Sequence, residues 1–352
     1  MINYKKITIF IHLYILKNKK NLILNMPTNI KNLKISKKTI LIFGITGQDG
    51  SLLAKEYLNK NFKVFGVITS KIFSPINLDK LNILEKVKLF HCANIDKLDI
   101  ELLVRKTQCS IIYLLSGISS VKKSETYKHE TILSNNLILI EVLEFIRVNN
   151  LKDIKIFNAS SGEIFGDNVG KNNEDSPLNP LSYYALAKSI SLEICRSYRV
   201  QFKLKIYNGI LFNHESHLRP KTYVIKKIIN GVDNISNKKI KKLTLGNTNV
   251  YRDWGWAPEY VKIIYKIISK TKPDDYIIAT GKTTKLDHLL TKVFNHYKLK
   301  KKDYLEKSNS LKRILEPVRI AANIQKLKKK IKYVPKISVN HIISMMIENK
   351  IK

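Results

Sequence analysis

Four side chains near the middle of the chain have the types and spacing for proton and hydride chemistry. Tyr184 and Lys188 form a Tyr-x-x-x-Lys pair. On a helix such a pair lies on one face, a turn apart, and an ammonium beside a phenol favours the phenolate and lowers its pKa. The result is a base that takes a proton from a hydroxyl near neutral pH while hydride leaves the carbon bearing it. Ser161, about two dozen residues earlier at the end of a β-like run, can hydrogen-bond the same hydroxyl. Glu163 supplies a second acid/base group, suited to the carbon next to the oxidised one, where a proton becomes acidic once a ketone forms. Alone, a Tyr-x-x-x-Lys pair in a lysine-rich chain is a common accident, and a loop glutamate is usually solvated. The combination behind a glycine turn points to an enzyme.

That turn reads Gly44-Ile45-Thr46-Gly47-Gln48-Asp49-Gly50. It follows a short apolar β-favouring run at 39–43 and precedes Leu52, Leu53, Tyr57 and Leu58 at helical spacing. Glycines there permit the tight turn, close approach of backbone to a pyrophosphate and close packing of helix on strand, while the helix start offers free N–H groups. Gly44, Thr46, Gly47, Gln48, Asp49 and Gly50 are therefore expected to hold a dinucleotide. The end of the second strand, Val67-Ile68-Thr69-Ser70-Lys71, carries neither the acidic residue usual for NAD nor an arginine. Its hydroxyls and Lys71 suit a 2′-phosphate, so NADP is expected, with NAD the alternative.

Positioning such groups needs a particular frame. Strand-like runs at 39–43, 64–68, 87–90, 111–115 and 154–157 alternate with helical stretches, one of them at about 136–147. That alternation implies an α/β fold, a Rossmann-type doubly wound parallel sheet. Beyond about residue 208 the regularity weakens into short strands, at 243–246 and 276–279, among lysine-rich helical stretches. This reads as a smaller mixed α/β C-terminal substrate domain over the carboxyl ends of the sheet. The expected division is a basic extension at 1–36, disordered or non-native, a dinucleotide-binding domain at 37–207 and a mainly substrate-binding part at 208–352, interleaved with it. An apolar stretch at 7–16 is too short to span a bilayer and lacks a cleavage site; Met26 is a second candidate start.

The 352 residues carry 63 Lys and Arg against 28 Asp and Glu, a formal charge of +35. Such a charge ordinarily suggests a nucleic-acid or anionic-membrane partner. The lysines are instead spread along the chain, with no recognition-helix, zinc-finger or RNP-like signature, so neither partner is expected; a nucleic-acid-binding protein stays as the non-enzyme alternative. Three widely spaced cysteines, Cys92, Cys109 and Cys195, form no disulfide or zinc pattern and suit a reducing, cytoplasmic setting. No metal is expected.

At these residues the chain resembles the extended short-chain dehydrogenase/reductases and, among them, the GDP-mannose 4,6-dehydratase family. The resemblance runs from about residue 40 to 335. It is carried by the glycine turn with Ser51, by Asn208-Gly209-Ile210-Leu211-Phe212-Asn213-His214-Glu215-Ser216 and by Arg252-Asp253-Trp254-Gly255. It implies that Ser161, Glu163, Tyr184 and Lys188 are catalytic, Ser161 standing where the family has threonine. It implies cofactor contacts from Leu115, Ser116, Ser119, Tyr184, Lys188, His214 and Arg219, and GDP-sugar contacts from Asn213, Arg252, Arg313 and Glu316. The implied reaction turns GDP-mannose into a 4-keto-6-deoxy sugar and water, in a homodimer or homotetramer. Another nucleotide-sugar 4,6-dehydratase, a 4-epimerase or a 4-keto reductase on the same scaffold is the alternative. Departures from the pattern are Thr69 and Ser70 for arginine, Ile118 for glutamine, Tyr183 for the proline before the tyrosine, and Ile314 for the proline after Arg313.

Overall fold

The computed structural model describes residues 30, 33–69, 74–92, 96–311, 313 and 315–348. Most of the extension expected at 1–36 lies outside the described residues, as do Ser70, Lys71 and Ile314.

The first half alternates as its apolar pattern requires. It runs β1 (Ser36–Phe43), α1 (Gln48–Leu58), β2 (Lys63–Ile68), α2 (Ile76–Lys80), β3 (Lys88–His91) and α3 (Lys97–Thr107). There follow β4 (Cys109–Leu114), α4 (Val121–Thr126), α5 (Lys128–Val148), β5 (Lys155–Ser161), α6 (Tyr183–Phe202) and β6 (Lys205–Leu211). The second half holds β7 (Asn213–Glu215), α7 (Val224–Ser236), β8 (Leu243–Leu245), β9 (Tyr251–Trp256), α8 (Ala257–Lys270) and β10 (Asp275–Ile278). It ends with β11 (Thr283–Lys285), α9 (Leu286–His296), α10 (Lys301–Tyr304), β12 (Leu305–Lys307), α11 (Gln325–Ile331) and α12 (Val339–Ile347).

Among the described residues, seven parallel strands form the main sheet in the order β10-β6-β5-β4-β1-β2-β3. The order reverses between β1 and β4, which opens a crevice at their carboxyl ends where ligands of such sheets sit. Residues 40–43 of β1 are fully buried, because helices cover both faces of a parallel sheet. One apolar layer, with Ile40, Tyr57 and Ile264, lies on one face; the other, with Leu41, Leu143 and Cys195, lies opposite. The smaller lobe has its own core of α7, α9, α12 and the β8–β9 region, including Ile228, Leu289, Trp254 and Ile343. In it β7 runs parallel to β9, and β9 pairs antiparallel with β11.

Two expectations are revised. The helix expected at 136–147 begins earlier, at Lys128, because its first turns are polar on the solvent side and carry little apolar periodicity. The strand expected at 276–279 in the smaller domain instead lies in the main sheet beside β6, with Asp275 opposite Asn208. Its carboxylate also holds Arg196 and Arg199 at 2.6 and 2.7 Å, which ties this edge to α6.

Candidate active site

The glycine turn closes between β1 and α1. Gly44 has φ +84°, and a Cβ there would stand 2.9 Å from the backbone of Leu115 and Ser116, so the turn after β1 abuts the turn after β4. At Gly50 a Cβ would stand 2.2 Å from the Gly44 carbonyl. The helix start at Gly47 has no side-chain cap. First-turn N–H groups without a side-chain partner, on a turn that only glycine permits, fit the pyrophosphate of a dinucleotide. Thr46 is half-buried and its carbonyl accepts from Asn77 at 3.0 Å. The Gln48 side chain turns inward: its Nε2 donates to the His214 carbonyl at 3.3 Å and its Oε1 accepts from Ser216 at 2.8 Å.

A crevice of about 360 Å³ runs from this turn across the carboxyl ends of β4, β5 and β6 to the smaller lobe. It brings together Asp49, Leu115, Ser116, Ser119, Ser161, Glu163, Tyr184, Lys188, Asn213, His214, Arg219, Arg252, Arg313 and Glu316, residues drawn from almost the whole length of the chain. Ser161 ends β5. Ser182 caps α6 by accepting from the Ala185 N–H, which sets Tyr184 in the first turn and Lys188 one turn on. The buried Lys188 Nζ donates to the Ala159 carbonyl at 2.8 Å and lies 6.0 Å from the Tyr184 ring centre.

The protonation pattern differs from the sequence expectation. Burial pushes the Tyr184 phenol up to about 12, a rise that its hydrogen bond with Ser161 opposes. Burial also brings Lys188 down to about 8. Desolvation is the largest influence on the phenol, with Ser161 and Arg219 the groups that oppose it.

Glu163 faces the crevice between two arginines. Its Oε1 is 3.5 Å from Arg252 Nε and its Oε2 is 3.3 Å from Arg313 Nη1, while Arg313 Nε lies 3.5 Å from Glu316. Arg252 is buried in β9 and also donates to the Tyr251 carbonyl at 2.9 Å. Arg219 stacks on Tyr223, 3.9 Å from guanidinium carbon to ring centre, and pairs with Glu215 at 3.5 Å. Both ring nitrogens of His214 are engaged inside the chain, with Phe212 and Asp49. Tyr223, which no motif singled out, also lines the crevice and hydrogen-bonds Ser119 at 2.6 Å. It stands in an irregular segment, where spacing carries no signal.

A parallel sheet with this glycine turn and this Ser, Tyr and Lys arrangement defines an extended short-chain dehydrogenase/reductase, which works with a bound nicotinamide cofactor. Within that class the chain belongs to the GDP-mannose 4,6-dehydratase family, whose model, described as GDP-mannose 4,6 dehydratase, matches residues 41–346. GDP-mannose 4,6 dehydratase 1 of Arabidopsis thaliana is 29% identical over 326 residues, 90% of each chain. The GDP-mannose 4,6 dehydratase of Dictyostelium discoideum is 31% identical over 344 residues, 90% of this chain and 96% of that one. Among solved structures, dTDP-glucose 4,6-dehydratase from Bacillus anthracis in complex with NAD shares the fold, with TM-score 0.75 and 18% identity over 88% of this chain and 95% of that one.

Proposed function

We propose that this chain is a lyase that converts GDP-α-D-mannose into GDP-4-dehydro-6-deoxy-D-mannose and water. The observation that carries this reading is Glu163, a carboxylate in the same crevice as Tyr184, Lys188 and Ser161. A reductase or epimerase needs the phenol and the lysine but not that carboxylate.

A bound nicotinamide supplies hydride acceptance from C4 and its return to C6. Tyr184 takes the O4 proton, with Ser161 hydrogen-bonded to the same oxygen and Lys188 supporting the phenolate. With C4 a ketone, Glu163 takes the C5 proton and delivers a proton to the C6 hydroxyl, which leaves as water. C5 is reprotonated as C6 is reduced. Arg252 and Arg313 face the substrate phosphates, and Asn213 and Glu316 complete the contacts to the rest of the GDP-sugar. The arriving phosphates draw the arginine N–H groups away from Glu163 and free its oxygens to act.

Gly44, Gly47, Asp49, Gly50, Leu115, Ser116 and Ser119 form the cofactor cradle. NADP is the assigned cofactor, because Thr69 puts no carboxylate after β2. The Bacillus anthracis neighbour carries NAD, so titration of the cofactor-free protein with both dinucleotides checks this, with tighter binding of NADP expected. Leu133, Leu137 and Ile140 form an exposed apolar stripe on α5, next to the exposed Leu186 of α6. That stripe supports a homodimer or a higher oligomer built on it. Among the described residues no helix is long and apolar enough to cross a membrane, and the buried thiols of Cys109 and Cys195 suit the cytoplasm.

Mass spectrometry of the protein with GDP-mannose and catalytic cofactor tests the assignment. Loss of one water from the nucleotide sugar is expected. Unchanged mass with an altered sugar would make the chain an epimerase, and no turnover would defeat the reading.

A further inference from the structure

Among the groups of the dinucleotide cradle, one carries a charge that opposes the ligand. Asp49 lies in the first turn of α1, where a pyrophosphate would meet the free N–H groups. A carboxylate is at home at a helix start, but there it competes with the incoming phosphates for the same positive end.

His214 stands against it. Its Nε2 is 2.9 Å from each Asp49 oxygen, and its Nδ1 is 2.7 Å from the Phe212 carbonyl. A carbonyl and a carboxylate only accept, so both ring nitrogens donate and the ring is an imidazolium. It is buried, stacked on Tyr260 with centroids 4.7 Å apart and planes 28° from parallel.

The surrounding charges agree. Burial works against a charged ring, but the Asp49 carboxylate outweighs it and raises the pKa of His214 above the ordinary histidine value. Burial likewise works against the Asp49 carboxylate, yet His214 and Arg219 bring it down to about 2. Of the other groups facing the ring, Arg219 disfavours the extra proton, Glu215 on the same strand pairs with Arg219, and α8 contributes the neutral phenol of Tyr260. The contact is also mechanical. Gln48 bridges the same two segments through the His214 carbonyl and Ser216, and β7 pairs with β9, His214 opposite Gly255.

We infer that His214 is a positioning residue for dinucleotide binding that acts through Asp49, cancelling the negative charge at the phosphate-facing helix start and pinning that turn to β7. The inference rests on the dinucleotide reading above and adds to it a role for a residue whose ring nitrogens are both engaged inside the chain. It also says why the turn tolerates an aspartate.

The test is dinucleotide affinity, by fluorescence titration of NADPH into cofactor-free protein, for wild type, His214→Gln, Asp49→Asn and Asp49→Asn/His214→Gln. Thermal melting verifies that each is folded. His214→Gln leaves only Arg219 and the Gln48 amide, which donates to Asp49 at 3.1 Å, to offset the carboxylate and should weaken binding about tenfold or more. Adding Asp49→Asn should restore most of it, although two native residues are then missing. Wild-type affinity should also fall as pH rises past the raised histidine value, since the compensating charge is present below it and lost above. Lys188, which burial brings down to about 8, also titrates, but the double variant keeps Lys188, so the difference between the two pH profiles belongs to the pair. If the double variant binds no better than His214→Gln and wild type shows the same pH profile as the double variant, the inference is overturned. If wild-type protein binds no nicotinamide dinucleotide at all, the cofactor reading falls and this inference with it.

Discussion

At the scale of single residues, the chemistry divides between two acid/base groups with different neighbours. Glu163→Gln keeps the side-chain shape but removes the base for C5. Water loss should fall by about 10²–10⁴-fold, while oxidation at C4, read as reduced nicotinamide in a single turnover, persists. Equal loss of both half-reactions would show that Glu163 serves only to shape the site. Lys188 offers a prediction about stability. Burial brings its folded pKa down to about 8, below the ordinary lysine value of 10.5. Between those values the unfolded chain binds more protons than the folded one, so stability rises with pH across that window. The melting temperature of wild type relative to Lys188→Met should therefore climb from pH 8 towards 10; a constant difference would contradict the buried ammonium. These residues were legible because Tyr-x-x-x-Lys and a serine at a strand end depend on local periodicity alone. The arrangement Arg252–Glu163–Arg313–Glu316 was not. Its members are separated by up to 153 positions, and only folding shows that the two arginines expected to contact the GDP-sugar also pair with Glu163.

Among elements, the sequence reading succeeded where burial on both faces leaves an unbroken apolar run, as in β1, β2 and β4. It did not recognise β6, whose run is broken by Asn208. That side chain is buried, donating to Asp275 at 2.7 Å and accepting from Asn158 at 3.0 Å, so a polar residue in a central strand is satisfied by its neighbours. It placed β10 in the wrong lobe for a related reason: the partner that fixes β10 was the strand left unseen. The turn between β1 and α1 was read from its glycines, and it yields a sharp expectation. A methyl group at Gly50 meets the Gly44 carbonyl at 2.2 Å, a backbone atom that cannot swing aside. Gly50→Ala should cost about 1–3 kcal/mol of stability by overpacking and should abolish tight dinucleotide binding by opening the turn. Thermal melting and cofactor titration measure the two effects. A variant with unchanged affinity would mean that phosphate does not depend on this turn.

For the whole molecule, the charge of +35 and the apolar stripe on α5 make opposite demands. Two copies meeting along Leu133, Leu137, Ile140 and Leu186 bury apolar surface but bring two strongly positive bodies together. Salt shortens the screening length from about 30 Å at 0.01 M to about 8 Å at 0.15 M, which weakens that repulsion and leaves the apolar contact untouched. Self-association should therefore tighten as salt is raised across this range, the reverse of what a nucleic-acid complex held by the same lysines would do. Sedimentation equilibrium at several salt concentrations reads the trend directly. The double variant Leu137→Glu/Ile140→Glu places carboxylates on the exposed stripe without touching either core layer, so it should stay folded and sediment as a monomer at every salt concentration. A wild-type chain that is monomeric throughout, or a variant that associates as wild type does, would move the interface away from α5 and leave the stripe as ordinary surface.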